Sequence, residues 1–241
     1  MKKVVITGGN GRLGRMMARY LRSKGFKVFS PRRCHTDWSD PKQAFRAARH
    51  AHRVLALAAY TDVSKAQVEP EECVRGNVLT TTATLDAAAR LNIPVRWVGT
   101  DYTVALERGG HGVGWYAASK SVAEKLVTLS GNKVARVAFT TEEQVSNWGW
   151  VDGLSLSNRC WADELVPVLA DWFLDDDVPP ITTIGPKPVT PAELLSKRYP
   201  SHRALDYIIS SPEILERMSG GTRPPDTTTE GVLRWQSTKQ I

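Results

Sequence analysis

The feature that most constrains this chain is a short apolar run followed by three evenly spaced glycines. Residues 4–6 are apolar without alternation, which is typical of a parallel strand covered on both faces. Gly8, Gly11 and Gly14 follow, where a tight turn, a close backbone approach and a helix packed on its strand each exclude a Cβ. The next apolar residues share one helical face: Leu13, Met16, Met17, Tyr20 and Leu21. This order predicts a strand, a turn and a helix whose N-terminus meets the phosphates of a dinucleotide; a glycine-rich loop without a ligand is the alternative.

The segment after the second predicted strand, 26–29, carries two arginines where an acidic residue is expected. In dinucleotide-binding units an acid about 20 residues past the turn binds the ribose hydroxyls of NAD. Here the sequence reads Ser30, Pro31, Arg32 and Arg33, and two guanidiniums can pair with an adenosine 2′-phosphate. We therefore expect NADPH as the cofactor, with NADH as the second choice if both arginines are solvated loop charges.

Strands and helices alternate along the chain. Further buried strands are predicted at 54–59, 93–98 and 134–139. Helices are predicted at 41–50, 70–88, 116–130, 163–173 and 191–197. This alternation is typical of an α/β protein with a doubly wound, parallel, Rossmann-like sheet. We expect residues 1–145 to form an NAD(P)-binding Rossmann domain, and 146–241 to form a small C-terminal substrate lobe that is partly interleaved with it.

Composition and charge narrow the setting. The 241 residues are 41% hydrophobic and 24% charged, which suits a compact soluble protein that can bury a core. No apolar stretch is long enough to span a bilayer, and the first residues lead directly into a core strand, so we expect a cytoplasmic protein with no membrane partner. The net charge of +7 suits nucleotide ligands or general solubility. Because the chain has no basic helix and no basic stripe with interleaved aromatics, we expect no nucleic acid partner.

Cysteine and histidine spacing predicts no metal centre. Cys34, Cys73 and Cys160 are widely separated and none has a neighbouring ligand pattern, so reduced thiols are expected. The five histidines show no ligand spacing either.

Four passages in the first 126 residues together resemble a known family. They are the turn 7–14, the stretch 58–66, the triplet Thr100-Asp101-Tyr102, and Tyr116-Ala117-Ala118-Ser119-Lys120. In these passages the chain resembles the extended short-chain dehydrogenases/reductases, and among them most the dTDP-4-dehydrorhamnose reductases. A later segment, 223–226, resembles a tail of that family that helps close the sugar-nucleotide site.

The resemblance implies catalytic roles for Thr100, Tyr116 and Lys120. Tyr116 would protonate the sugar oxygen as hydride arrives from the nicotinamide. Lys120, one helical turn later, would make the phenolic proton labile and hold the nicotinamide ribose. Thr100, at the end of a strand, would hydrogen-bond the carbonyl. Purely structural roles, a buried aromatic for Tyr116 and a strand-end cap for Thr100, are the alternatives.

Two sets of binding residues follow from the same resemblance. The cofactor set is Gly8, Gly11, Arg12, Leu13, Gly14, Arg32, Arg33, Asp37, Trp38, Ala58, Ala59, Tyr60 and Lys120. The substrate set is Thr61, Asp101, Tyr102, Trp148 and Arg223. The alternatives are a simple loop residue for Asp37 and, for Trp148, a core aromatic rather than a residue that stacks on the substrate.

The resemblance also favours reduction over neighbouring reactions. Related 4,6-dehydratases usually carry Asp-Glu after the active-site threonine, whereas Thr100 is followed by Asp101 and Tyr102. Epimerases usually keep an acid after the second strand, where this chain has Arg32 and Arg33. We therefore expect an NADPH-dependent reductase of a nucleotide-linked 4-keto-6-deoxy sugar, with a homodimer as one assembly that it could form. The alternatives are another sugar-nucleotide epimerase or reductase, and a cofactor-binding regulatory subunit without turnover.

Overall fold

The computed structural model describes residues 2–107, 114–146, 151–152, 157–198, 206–207 and 232–234. Most of the predicted site residues fall within these ranges. Trp148 and Arg223, two members of the predicted substrate set, lie outside the described residues.

A parallel sheet forms the centre of the protein. Its first five strands are β1 (Lys3–Thr7), β2 (Lys27–Phe29), β3 (Arg53–Ala56), β4 (Val95–Thr100) and β5 (Lys133–Thr140). They lie in the order β2-β1-β3-β4-β5, and every pairing among them is parallel. The strand order reverses between β1 and β3, so that helices cover both faces of the sheet. The α/β, doubly wound, Rossmann-like fold predicted from the sequence is confirmed.

The helices connect these strands. Their bounds are α1 (Arg12–Ser23), α2 (Pro41–Ala48), α3 (Pro70–Val74), α4 (Thr80–Leu91), α5 (Tyr102–Glu107), α6 (Gly114–Leu129), α7 (Glu142–Val145), α8 (Ala162–Leu174) and α9 (Pro191–Arg198). A 3-10 turn at Lys65–Gln67 precedes α3. Over the ranges that the structure describes, no helix is both long and apolar enough to cross a membrane.

The start of α2 and the break between α3 and α4 show how local chemistry sets these bounds. The Asp40 carboxylate accepts hydrogen bonds from the backbone N–H groups of Lys42 and Gln43 at 2.8 and 3.3 Å, which caps α2 as the sequence predicts. The single helix predicted over 70–88 is wrong in one respect, because a π-helical turn at Arg75–Leu79 separates α3 from α4. Such turns are frequent at functional sites, and this one lies against the segment that follows β3.

Two later strands extend the main sheet beyond β5. Both β7 (Arg159–Trp161) and β8 (Ile181–Ile184) pair in parallel with β5, and α8 between them packs against α1. Residues 159–184 therefore belong to the main sheet, although they follow position 145. A separate antiparallel sheet joins β6 (Val151–Asp152), β10 (Val232–Arg234) and β9 (Asp206–Tyr207). The division into domains at residue 145 stays a prediction.

The core has one apolar layer on each face of the sheet. One layer packs α1 and α8 on the sheet, with Met17, Leu21, Leu169 and Phe173 each 0% exposed. The other packs α2, α4 and α6, and its largest side chains are Trp97 of β4, 1% exposed, and Trp38, 5% exposed. The two layers hold β1, β3 and β4 from both sides, so the carboxyl ends of these strands are fixed relative to one another.

Candidate active site

The glycine turn lies at the carboxyl edge of the sheet, where the strand order reverses. Gly8 has φ +67°, and a Cβ there would lie 2.7 Å from Cα of Ala58, the second residue after β3. The Thr7 hydroxyl accepts hydrogen bonds from the backbone N–H groups of Leu57 and Ala58 at 3.0 and 2.9 Å. In a doubly wound sheet, ligands bind in the crevice outside the carboxyl ends at this switch point.

Gly14 and Leu13 complete the turn. A Cβ on Gly14 would lie 2.3 Å from the carbonyl oxygen of Gly8, so only glycine lets α1 begin this close to the turn. Leu13 is buried in the core, whereas Gly11 and Arg12 are exposed at the start of α1. This backbone shape suits the close approach of a phosphate, and phosphate binding here stays a prediction.

Thr100 and Tyr116 are brought together, although sixteen residues separate them in the sequence. Thr100 ends β4 and is 6% exposed, while Tyr116 lies in the first turn of α6 and is 9% exposed. The Thr100 hydroxyl lies near enough to the Tyr116 phenol to lower its pKa. The ring of Tyr102 contacts that of Tyr116 edge to face, with centroids 5.6 Å apart. These contacts form a paired-hydroxyl arrangement beside β4.

The pKa of Tyr116 differs from the expectation. Burial raises the pKa of its phenol to about 12, against a smaller lowering by the Thr100 hydroxyl. The sequence led us to expect a lysine that makes this proton labile. In the structure desolvation dominates, so the phenol is fully protonated at neutral pH, which is the state that a proton donor requires.

Lys120 lies one turn after Tyr116 on α6 and is 3% exposed. Its Nζ donates a hydrogen bond to the carbonyl oxygen of Val98 at 3.1 Å and stands 4.0 Å from the centroid of the Trp97 ring. Burial lowers the pKa of Lys120 to about 7, although the negative charge of Glu124 acts in the opposite direction. Nζ of Lys120 is therefore directed at β4, and its protonation changes with pH near neutrality.

A buried polar layer supports the helix that carries Tyr116. Asn77, in the π-helical turn, accepts a hydrogen bond from the backbone N–H of Tyr60 at 2.9 Å and donates one to Ser119 Oγ at 2.9 Å. The Ser119 hydroxyl in turn lies 2.9 Å from the carbonyl oxygen of Tyr116 and 3.2 Å from Cys73 Sγ. The segment after β3 and the first turn of α6 are thus tied to the same asparagine.

Four other predicted cofactor residues differ in their exposure to solvent: Asp37, Trp38, Arg32 and Arg33. Asp37 accepts a hydrogen bond from Arg75 at 2.7 Å, and its pKa is lowered, chiefly by hydrogen bonds from Ser39. Trp38 is 5% exposed and packs in the core, which leaves Asp37 as the member of this pair that can face a ligand. Arg32 and Arg33 are both exposed.

The residues after β3 and β4 that were predicted to bind substrate or cofactor lie at the same edge. Ala58, Ala59 and Tyr60 are half-buried, and the Tyr60 hydroxyl donates a hydrogen bond to Glu69 at 2.6 Å. Thr61 is exposed, whereas Asp101 and Tyr102 are half-buried next to Thr100. Among the described residues, no group of three His, Cys, Asp or Glu side chains is placed to hold a metal ion.

Sequence reasoning missed a basic cavity beside the glycine turn. Its volume is about 360 Å³, and it lies between the turn, the end of β2 and one face of α1, lined by Gly9, Asn10, Arg15, Ala18, Arg19, Arg22 and Ser30. The Ser30 hydroxyl is buried and has no hydrogen-bond partner among the described residues. Arginines at 15, 19 and 22 share one helical face, which is the sequence signal that could have revealed this cavity.

Comparison with known proteins places these features in a family. The family described as RmlD substrate binding domain matches residues 1–147. The chain belongs to this family. A dTDP-4-dehydrorhamnose reductase of Mycolicibacterium smegmatis is 31% identical over 101 residues, which are 42% of this chain and 31% of that protein. One of Mycobacterium tuberculosis is 29% identical over 154 residues, 62% of this chain and 50% of that protein. The chain thus spans half or less of the length of these two relatives.

Solved structures of RmlD-like proteins share the fold. A dTDP-4-dehydrorhamnose reductase from Bacillus anthracis in complex with NADP has a TM-score of 0.72 at 17% identity, covering 83% of this chain and 81% of that one. A hypothetical dTDP-4-dehydrorhamnose reductase from Sulfolobus tokodaii also has a TM-score of 0.72, at 18% identity, covering 84% and 83%. At these identities the likeness establishes the fold.

Proposed function

We propose that this RmlD-family protein is an NADPH-dependent reductase of a nucleotide-linked 4-keto-6-deoxy sugar. The observation that carries the proposal is the pair of buried hydroxyl groups, Thr100 and Tyr116, which lie near each other at the carboxyl edge of the sheet that also holds the glycine turn. The names of the relatives, dTDP-4-dehydrorhamnose reductases, support the same substrate class.

In this reaction the chain supplies the proton and the orientation. NADPH, when bound over the glycine turn, supplies the hydride. Tyr116 gives its phenolic proton to the carbonyl oxygen, and the Thr100 hydroxyl hydrogen-bonds the same oxygen, so that negative charge on it is stabilised as it develops. Lys120 would hold the nicotinamide ribose. Asp101 and Tyr102, which follow Thr100 directly, would contact the sugar, together with Thr61, Trp148 and Arg223.

Two features support a dinucleotide with a 2′-phosphate. Gly8 and Gly14 leave a cradle that a Cβ would fill, which suits the close approach of a pyrophosphate. Arg15, Arg19 and the unpartnered Ser30 hydroxyl line the basic cavity at the end of β2, which suits a further phosphate group. The structure from Bacillus anthracis that shares this fold is a complex with NADP. A cytoplasmic location, a homodimer and the domain division at residue 145 remain predictions.

The test is NADPH oxidation with a panel of dTDP- and UDP-linked 4-keto sugars. We expect turnover of at least one 4-keto-6-deoxy sugar by the wild-type protein and its loss in Tyr116→Phe, with cofactor affinity retained because the phenol ring stays in place. Tyr20→Phe, in α1 and away from the paired hydroxyls, is the matched control. Reduction that survives in Tyr116→Phe would remove the phenol from the mechanism.

A second function, a cofactor-binding regulatory protein without turnover, is favoured by one observation. Nζ of Lys120 is engaged by the carbonyl oxygen of Val98 and the Trp97 ring, rather than by the phenol. Tight NADPH binding without oxidation of the cofactor by any sugar in the panel would select this function over the reductase.

A further inference from the structure

A buried ion-pair cluster lies behind the candidate site, on the side of α6 that faces the sheet. Glu124 of α6 is 5% exposed and Arg136 of β5 is 7% exposed. Arg136 Nε lies 3.2 and 3.0 Å from the two carboxylate oxygens of Glu124. Nη1 of the same guanidinium lies 3.0 Å from Glu107 at the end of α5, and Nη2 bonds to both acids. One arginine therefore clamps α5 and α6 to β5.

The cluster reaches Lys120 through Glu124. The two residues lie one turn apart on α6, and the negative charge of Glu124 raises the pKa of Lys120 against the stronger effect of burial. A Cβ on Gly99 would lie 2.8 Å from the Trp97 ring and 3.4 Å from Glu124 Oε2. Gly99 thus allows the Trp97 ring, which contacts Nζ of Lys120, to pack close to the Glu124 carboxylate.

The cluster also reaches Thr100, by way of Thr103. The Thr103 hydroxyl, 1% exposed as a residue, lies 2.9 Å from the carbonyl oxygen of Thr100 and 3.2 Å from Glu124 Oε2. It can donate its proton to either oxygen. Glu124 is therefore linked to both halves of the candidate site, the strand end and the helix.

A role in stability alone does not account for this arrangement. A buried ion pair adds little net stability compared with apolar side chains of similar volume, because desolvation offsets the attraction between the charges. Arg136 is already paired with Glu107, so a second carboxylate is not required to neutralise it. What Glu124 adds is a negative charge one helical turn from a buried lysine.

We propose that Glu124 is a positioning residue of the candidate site: clamped by Arg136, its carboxylate holds a negative charge one helical turn from Lys120 and, through Thr103, fixes the strand end that carries Thr100. The expected effect on NADPH binding rests on the proposed function, whereas the effect of Glu124 on Lys120 does not. The charged and titratable groups that face this region are Glu124, Arg136, Glu107, Lys120 and Cys73.

The direction of the effect follows from these groups. The pKa of Lys120 is about 7, so its ammonium is present below that pH and is lost above it. Without the Glu124 charge, the burial of Lys120 is no longer opposed by this carboxylate. The ammonium is then disfavoured further, so we expect the pKa of Lys120 in Glu124→Gln to fall by about one to two units.

The experiment measures the titration of Lys120 by NMR in protein labelled with ¹³Cε-lysine and free of cofactor, in wild type, Glu124→Gln and Glu107→Gln. Glu107→Gln is the matched control, because it removes a carboxylate from the same arginine at the far side from Lys120. We expect the Lys120 midpoint to fall in Glu124→Gln and to stay within a few tenths of a unit of wild type in Glu107→Gln. Equal midpoints in the two variants would overturn the inference.

NADPH affinity as a function of pH then connects this titration to binding. We expect the pH at which affinity begins to fall to move down in Glu124→Gln together with the Lys120 midpoint, but not in Glu107→Gln. A shifted Lys120 midpoint in a protein that does not bind NADPH would refute the proposed function and leave the Glu124 coupling standing. A shifted midpoint with an unchanged affinity profile would overturn the positioning role.

A measurement on the wild-type chain covers the case in which Glu124→Gln does not fold. The ¹³C resonance of the Glu124 carboxylate should move with the same midpoint as Lys120, because ionisation of one changes the field at the other. A carboxylate resonance that stays constant while Lys120 titrates would show that the two are not coupled, and would overturn the proposal.

Discussion

Gly8→Ala tests whether the glycine turn is held by contact with the segment after β3, or only by its backbone conformation. Gly8 has φ +67°, and a Cβ there would meet backbone atoms of Ala58 at 2.7 Å. Gly25, at the end of α1, has φ +84°, but a Cβ there would have no atom within 4 Å. The two positions share the left-handed conformation and differ in the space around it.

The expected magnitudes differ for this reason. Alanine in the left-handed region costs about 1 to 2 kcal/mol, which is the whole cost expected for Gly25→Ala. At Gly8 the same cost applies, and the Ala58 backbone must also move by several tenths of an ångström, which resembles overpacking of a core and costs about 1 to 3 kcal/mol more. We therefore expect Gly8→Ala to lower the free energy of unfolding by about 2 to 5 kcal/mol.

Urea denaturation followed by circular dichroism, with equal slopes in all three proteins, measures the difference. The comparison of Gly8→Ala with Gly25→Ala isolates the contact with Ala58, because the conformational cost is common to both. If the two variants unfold within about 0.5 kcal/mol of each other, the close packing of the turn against the segment after β3 does not contribute to stability and the reasoning fails.

Three further predictions concern the basic cavity, the α2 cap and the buried lysine. Replacing Arg15 and Arg19 together by Ala should raise the Kd for NADPH by about tenfold or more and leave the Kd for NADH unchanged, with Arg46→Ala as the control. An equal loss of affinity for both cofactors would exclude a 2′-phosphate at this cavity. Asp40→Ala should lower the urea midpoint at pH 7, and the difference from wild type should shrink in acid. Hydrogen bonds from the Gln43 side chain and from the backbone N–H groups of Gln43 and Lys42 lower the pKa of Asp40, and their contribution is lost as that carboxyl protonates. In the unfolded chain Lys120 stays protonated up to its usual pKa, whereas in the folded protein it is protonated only below about pH 7. The free energy of unfolding should therefore rise between pH 7 and 10, by at most about 1.4 kcal/mol per pH unit. Lys120→Met should lack this rise.

The fold could be predicted from the sequence because its signals are local. Apolar runs mark β1 and β3, similar runs interrupted by one arginine mark β4 and β5, and Asp40 with Pro41 marks the start of α2. The π-helical turn at 75–79 could not be predicted, because it depends on packing between Gly76 and Tyr60, which lie sixteen residues apart. The pairing of β7 and β8 with β5 depends on contacts of the same long-range kind.

The candidate site was predictable in its backbone and less so in its side chains. The spacing of Tyr116 and Lys120 places both on one helix face, and the structure confirms the helix. The direction of Nζ is decided by Trp97, which no helix pattern reveals. In the same way Trp38, expected beside the cofactor, packs into the core because α2 folds over it. Local sequence fixes which residues share an element, and tertiary packing fixes which atoms they meet.

Burial shifts the pKa values of Tyr116 and Lys120 in opposite directions, and in both cases it favours the neutral form of the side chain. It raises the pKa of Tyr116 to about 12 and lowers that of Lys120 to about 7. The phenol is then protonated throughout the physiological range, so the supply of a proton does not limit the pH range of the site. The charge of the lysine is lost first as pH rises. A pH dependence of the proposed reduction near neutrality would therefore report on Lys120, rather than on the phenol that is proposed to donate the proton.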